Sequence, residues 1–135
     1  IGTDGCASNN DLDMLGEMRS AALVAKAVAG DARALDAASA LRAATLGGAH
    51  ALGWGARIGS IEPGKQADLA AIRLDALETQ PLYDVTSQIV YAAGRQQVSD
   101  VWIAGIRKLR ERVLVDLDAV ELVDTARRWR ERLAP

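Results

Sequence analysis

The residues best suited to do chemistry stand at the very start of the chain. Gly2-Thr3-Asp4-Gly5 places a carboxylate between two glycines that let backbone or ligand come close. In parallel α/β proteins the C-terminal ends of strands face the ligand, so an Asp there is a catalytic candidate, able to accept a proton or bind a cation. On these four residues alone a second reading stays open, in which Asp4 is a loop residue that accepts a hydrogen bond from a nearby backbone N–H. Other reactive side chains are few. Cys6 is the only cysteine and His50 the only histidine. A zinc site needs three or four protein ligands, and two predicted helices separate this pair, so the chain is not expected to assemble a metal site of its own. The His-x-Glu and Pro-Cys-x-x-Cys elements of the cytidine-type zinc deaminases are absent. With a single thiol no intrachain disulfide can form, which fits a reducing compartment such as the cytoplasm.

The elements that would position Asp4 follow from the pattern behind it. Ile1 to Thr3 reads as the end of an interrupted strand, as though cut from something longer, and Asp4 to Asn10 as a polar loop with Asn10 or Asp11 as the expected N-cap. From Leu12 to Ala29, Met14, Met18, Ala21, Ala25 and Val28 recur at helical spacing, widened by Leu15 and Ala22, and Gly30 supplies a stop. The two methionines are expected in the core. A second helix is predicted from Asp36 to Leu46 with Ala37, Leu41 and Ala44 inward, and a short third one to Leu52. Glu62-Pro63-Gly64-Lys65 suits a type II turn, with a strand expected at Asp68 to Leu74. Pro81 to Tyr91 is ambiguous. Val98 to Ala104 is β-rich, Gly105 is a turn candidate, and Ile106 to Leu109 with Val113 to Val115 would complete a hairpin or meander. From Asp118 onward helical spacing returns, with Arg127, Arg128, Arg130 and Glu131 on the outer side.

Composition bounds what such a chain can be. Its 135 residues are 50% hydrophobic, enough for a buried core, while only 4% are aromatic and none is Phe, so Ala-rich helices should outweigh strands. The net charge of −2 and the lack of a basic stripe disfavour nucleic-acid binding. Arg107 to Arg112 and Arg127 to Arg132 read as solvated faces. The longest apolar stretch, Ala21 to Val28, is broken by Lys26 and is far shorter than the roughly 20 residues of a membrane span, so no membrane partner is expected.

Residues 2–19, Gly-Thr-Asp-Gly-Cys-Ala-Ser-Asn-Asn-Asp-Leu-Asp-Met-Leu-Gly-Glu-Met-Arg, closely resemble the last barrel strand and following helix of amidohydrolases. The group most similar is that of the 5-methylthioadenosine/S-adenosylhomocysteine deaminases and chlorohydrolases. A second block at residues 59–69, Gly-Ser-Ile-Glu-Pro-Gly-Lys-Gln-Ala-Asp-Leu, resembles the segment by which that superfamily leaves the barrel for its small β-rich domain. Looser similarity runs through Ala43 to Leu46, Ala51 to Gly53, Val90 to Ala93 and Asp100 to Gly105. The departure is Arg110-Glu111-Arg112, where such proteins close a hairpin with a glycine-containing turn, and this puts strand pairing there in question.

The resemblance implies an α/β fold: the C-terminal fragment of a (β/α)8 TIM-barrel metal hydrolase plus part of the appended small β-sandwich domain. Residues 1–58 would be the last barrel strand, its helix and a helical hairpin, 59–117 part of the β-rich domain, and 118–135 a C-terminal helix. It also implies one divalent metal, zinc as a rule, bound by an HxH pair, two further histidines and an Asp. Only that Asp, here Asp4, lies in this chain. Asp4 would approach the metal, take a proton from the water it holds, and help return that proton to departing ammonia. Cys6, Ser8 and Asn9 are candidates for the substrate pocket, although the favoured reading of Ser8, Asn9 and Asn10 is that they cap the helix and satisfy loop backbone. Glu17 is read as an exposed or packing acid, and His50 as a surface or packing residue.

The expected partners are the N-terminal portion of the same enzyme, a small-molecule substrate and other copies in a homo-oligomer, and the isolated piece is expected to aggregate. The favoured activity is hydrolytic deamination of an adenosine-like thioether nucleoside. The alternatives are s-triazine dechlorination or deamination, and a non-catalytic remnant that serves as a structural module.

Overall fold

The structure, a computed structural model, describes residues 1–134. Three helices, two from the first 44 residues and one from residues 85–91, build the centre. The first, α1 (Met14–Ala29), is capped by Asp13, whose side chain accepts from the Leu15 N–H at 3.0 Å, and it ends at Gly30 with φ of 60°. The cap therefore lies later than the expected Asn10 or Asp11. Leu12 has φ of 36°, outside the right-handed helical region, so helical geometry cannot start before it. Next come α2 (Ala37–Ala44), capped by Asp36 on the Ser39 N–H at 2.7 Å, and α3 (Leu46–Ala51). The predicted single helix from Asp36 to Leu46 breaks at Thr45, whose φ of −114° and ψ of −96° are not helical.

Pro81 to Tyr91, ambiguous in sequence, resolves into α4 (Val85–Tyr91). Asp84 accepts from the Ser87 N–H at 2.7 Å and so provides the N-terminal signal. Met18, Ala22, Ala40 and Val90 form the core where α1, α2 and α4 meet, with Leu15, Leu35, Ala37, Leu41, Ala44, Ile89 and Tyr91 packed round it. The buried face of α1 is thus rotated from the expected one, with Ala22 fully buried and Val28 84% exposed. Two cations fasten this unit. The Arg19 guanidinium donates to the carbonyls of Val90 and Ala93 at the end of α4, and the Lys26 ammonium lies over the Tyr91 ring while donating to the Ala34 and Leu35 carbonyls. Each thereby satisfies oxygens that a helix end or loop leaves open.

A four-stranded antiparallel sheet follows in the order β1 (Leu69–Ile72), β2 (Val98–Ile103), β3 (Ile106–Arg110), β4 (Val113–Leu114). The turn before it is as predicted: Gly64 has φ of 92° and the Lys65 N–H reaches the Glu62 carbonyl at 3.2 Å. Ala104 and Gly105, both at positive φ, join β2 to β3 with Ile103 opposite Ile106.

The β3–β4 turn closes without glycine. Glu111 and Arg112 sit at φ of 45° and 67°, and Arg110 pairs with Val113. That backbone cost is offset by Arg112, whose N–H donates to the Ser99 carbonyl at 2.9 Å. Its guanidinium also donates to the carbonyls of Arg95, Gln96 and Val98, each at 2.9 Å. Arg107 in turn pairs with Asp100. Arg107 to Arg112 is therefore not simply a solvated face, because two of its arginines hold the sheet.

Helix α5 (Ala119–Leu133), capped by Asp118, has no buried residue. Pro135, the last residue of the expected C-terminal helix, lies outside the described residues. Among the described residues all strand pairs are antiparallel, so none is a barrel strand, and Ile1 to Thr3, expected as a strand end, have no strand structure. A strand forms only against a neighbour that takes its backbone hydrogen bonds. Ile1 to Thr3 have no such neighbour among the described residues.

Candidate active site

Asp4 adopts φ of 60°, a left-handed conformation that Asp tolerates because its short side chain can bond locally. Both carboxylate oxygens are used in that way. The Gly5 N–H donates to Oδ1 at 2.7 Å and the Ser8 hydroxyl donates to Oδ2 at 2.8 Å. The Ser8 hydroxyl, and next to it the Gly5 N–H, hold the Asp4 pKa below its usual value and keep the group ionised. Each oxygen retains a free lone pair, which suits the carboxylate as a single oxygen ligand to a divalent metal.

The loop after Asp4 is a compact turn in which the Ser8 and Asn9 N–H groups both donate to the Gly5 carbonyl at 3.0 Å. Asn9 goes further. Its amide donates to the Thr3 carbonyl at 2.9 Å and to Glu17 Oε1 at 2.7 Å, while its Oδ1 accepts from the Asp11 N–H at 2.9 Å. Thr3 and Asn9 are the half-buried members of residues 1–12, whose other residues are exposed. Glu17, on α1, is thus the partner of Asn9, a role the sequence did not suggest because a separation of eight is not a helical spacing.

Of the predicted site residues, the structure brings together Asp4, Ser8 and Asn9. Cys6 is exposed in the same loop with a free thiol and no bond to the others. Ser8 and Asn9 serve the loop itself, and neither caps α1. An open groove of about 490 Å³ lies elsewhere, lined by Met14, Ala49, Ile58, Ile61 and Leu69 among others, and none of the four predicted site residues borders it. Asp4 is exposed, and among the described residues no barrel centre surrounds it.

Among the described residues no three His, Cys, Asp or Glu side chains gather as a metal cluster. His50 packs instead on the backbone of Gly55, where an added Cβ would fall 1.8 Å from the ring. Also among the described residues, no helix is long and apolar enough to cross a membrane.

Comparison with known proteins places these features. The model of the amidohydrolase family matches residues 1–107. A 5-methylthioadenosine/S-adenosylhomocysteine deaminase of Teredinibacter turnerae is 49% identical over 133 residues, 98% of this chain and 30% of the relative. Among solved structures, an adenosine deaminase from Xanthomonas campestris with bound zinc is similar at a TM-score of 0.95 and 70% identity, covering 98% of this chain and 30% of that one. An atrazine chlorohydrolase from Arthrobacter aurescens complexed with zinc is similar at a TM-score of 0.84 and 28% identity, covering 92% of this chain and 28% of that one. The chain therefore spans about 30% of the length of the curated relatives it matches.

Proposed function

The chain belongs to the amidohydrolase family, and from that premise we propose that it is the C-terminal portion of a zinc-dependent hydrolytic deaminase of an adenosine-like nucleoside, of the methylthioadenosine or S-adenosylhomocysteine type. The observation that carries this reading is the Asp4 carboxylate, ionised, exposed, and fixed by Gly5 and Ser8 with a lone pair free on each oxygen. In this reading residues 1–58 complete a (β/α)8 barrel, the span 59–117 brings strands β1 to β4 to a small β-sandwich while its α4 packs on α1 and α2, and α5 is a terminal helix. Zinc is held mainly by residues outside this chain, with Asp4 as the ligand supplied here. When bound, a divalent metal lowers the pKa of water from about 15.7 towards about 7.

Asp4 accepts the proton that water loses as its oxygen attacks the amine-bearing carbon, and gives it to the nitrogen that leaves as ammonia. An ionised carboxylate is ready for the first transfer, and its two bonds to the loop limit where the accepting oxygen can go. Cys6 stands at the rim of the substrate pocket. A cytoplasmic location and a homo-oligomeric state belong to the same proposal, the first supported by a lone free thiol.

Identity supports the nucleoside over an s-triazine substrate, at 49% and 70% for the deaminases against 28% for the chlorohydrolase. The test is the full-length enzyme with Asp4→Asn, which keeps the shape and removes the base. Turnover of methylthioadenosine should fall by about 10²–10⁴-fold. Normal turnover in that variant overturns the reading.

A further inference from the structure

We infer that Asn9 and Glu17 form a positioning clamp that fixes Asp4 by bolting its loop to α1, an inference that rests on the reading of Asp4 as the reactive carboxylate. Asp4 itself is exposed, and its carboxylate is held within its own turn, by the Gly5 N–H and the Ser8 hydroxyl. Without a further tie, that short turn could move as a unit and carry the carboxylate with it. Asn9 supplies the tie.

One Asn9 amide hydrogen goes to the Thr3 carbonyl, directly before Asp4, and the other to Glu17 Oε1. Its Oδ1 holds the Asp11 N–H. The residue before Asp4, the end of the loop and the helix are thereby joined through one planar group. An asparagine has two amide hydrogens and both are consumed, so Asn9 has no donor left for a substrate. This moves Asn9 from pocket lining to the support of Asp4.

Glu17 is equally specific. Asp13 caps α1 and the third helical residue is Gly16, so Glu17 lies beyond the position from which an acid reaches back to its own cap. Its carboxylate turns to Asn9 instead. The helix end of the clamp is firm, because Met18, next in sequence, is 1% exposed in the core and Arg19 donates to the α4 carbonyls. The order of the buried core thus passes through Glu17 and Asn9 to an exposed loop. Supporting groups of this kind orient metal ligands, and their loss typically costs about 10–100-fold in metal affinity or activity.

The test uses the full-length enzyme with Asn9→Ala, Glu17→Ala, Glu17→Gln and, as reference, Asp4→Asn. It reads kcat and KM for methylthioadenosine per folded, zinc-loaded molecule, and zinc affinity by chelator competition. Asn9→Ala and Glu17→Ala should lower kcat and zinc affinity at least about tenfold, with KM changed less than about threefold. Glu17→Gln keeps the acceptor oxygen and should stay within about threefold of the parent. If Asn9→Ala does not fold, the contrast between Glu17→Ala and Glu17→Gln decides alone.

Parental kcat and zinc affinity in Glu17→Ala, with Asp4→Asn inactive, overturn the clamp and leave the deaminase reading standing. A fall in Glu17→Gln as deep as in Glu17→Ala overturns it too, since charge and not the hydrogen bond would then matter. Normal turnover in Asp4→Asn overturns the reading beneath it.

Discussion

The loop at residues 1–12 leads directly into α1, which supplies Met18 and Ala22 to the cluster completed by Ala40 and Val90, yet loop and cluster are ordered by different forces. In the loop nearly every side chain is exposed, and its shape comes from hydrogen bonds that Asp4, Ser8 and Asn9 make to nearby backbone and to Glu17. In the cluster no polar side chain takes part, and order comes from apolar surface removed from water. The loop therefore has chemistry without a core, and the cluster a core without chemistry. This division lets one half be altered while the other is read out.

Asp4→Asn strikes the loop half and should have the largest effect, a loss of about 10²–10⁴-fold in kcat with thermal stability nearly unchanged. A stability loss as large as that of a core truncation would mean that the loop and the core are not separable. Met18→Ala strikes the other half. Truncating a large side chain at 1% exposure should lower the unfolding free energy of the full-length enzyme by about 2–5 kcal/mol, seen in denaturant titration. Turnover per folded molecule should fall no more than about tenfold, because the core reaches Asp4 only through Glu17 and Asn9, and a collapse as deep as that of Asp4→Asn in the fully folded fraction would erase the contrast.

The smallest effect concerns a third region, the sheet, where polar order resembles that of the loop. Asp100 is held at about 2, below its ordinary 3.8, first by the Arg107 guanidinium, then by Ser99 and the Glu111 N–H. A carboxyl whose folded pKa lies below its unfolded one stabilises the fold above the unfolded value, and that contribution is lost as pH falls towards 2. Asp100→Asn should flatten the stability profile between about pH 4 and 2 and leave its neutral-pH shape alone. An unchanged acid limb would show that Arg107 and Asp100 do not interact in solution.

The two halves were unequally legible in the sequence. Apolar spacing disclosed α1 and Met18 in its core, but Met14, also expected there, is half-buried and lines the open groove, and Val28 is outward, a rotation that depends on where α2 and α4 pack. The Glu62 to Lys65 turn and the hairpin at Gly105 were readable because glycine marks positive φ. Leu12, Glu111 and Arg112 take positive φ with no such mark. At Arg112 it is tolerated because the guanidinium and N–H collect four carbonyls from β2 and the residues before it. Asp84 carried a cap signal for α4 that the turn residues around it obscured. In the site, the Gly2 to Gly5 motif disclosed Asp4, whereas Glu17 could not be found, because its link to Asn9 exists only once the loop has folded back on the helix.

The central claim is that Asp4 reaches a metal ion held mostly by the rest of the enzyme. Anomalous diffraction at the zinc edge from crystals of the full-length protein tests it most directly. The expected result is a zinc peak with an Asp4 carboxylate oxygen at coordination distance, about 2.0–2.2 Å. A zinc ion fully ligated by other residues, with the Asp4 carboxylate facing solvent away from it, would contradict the account.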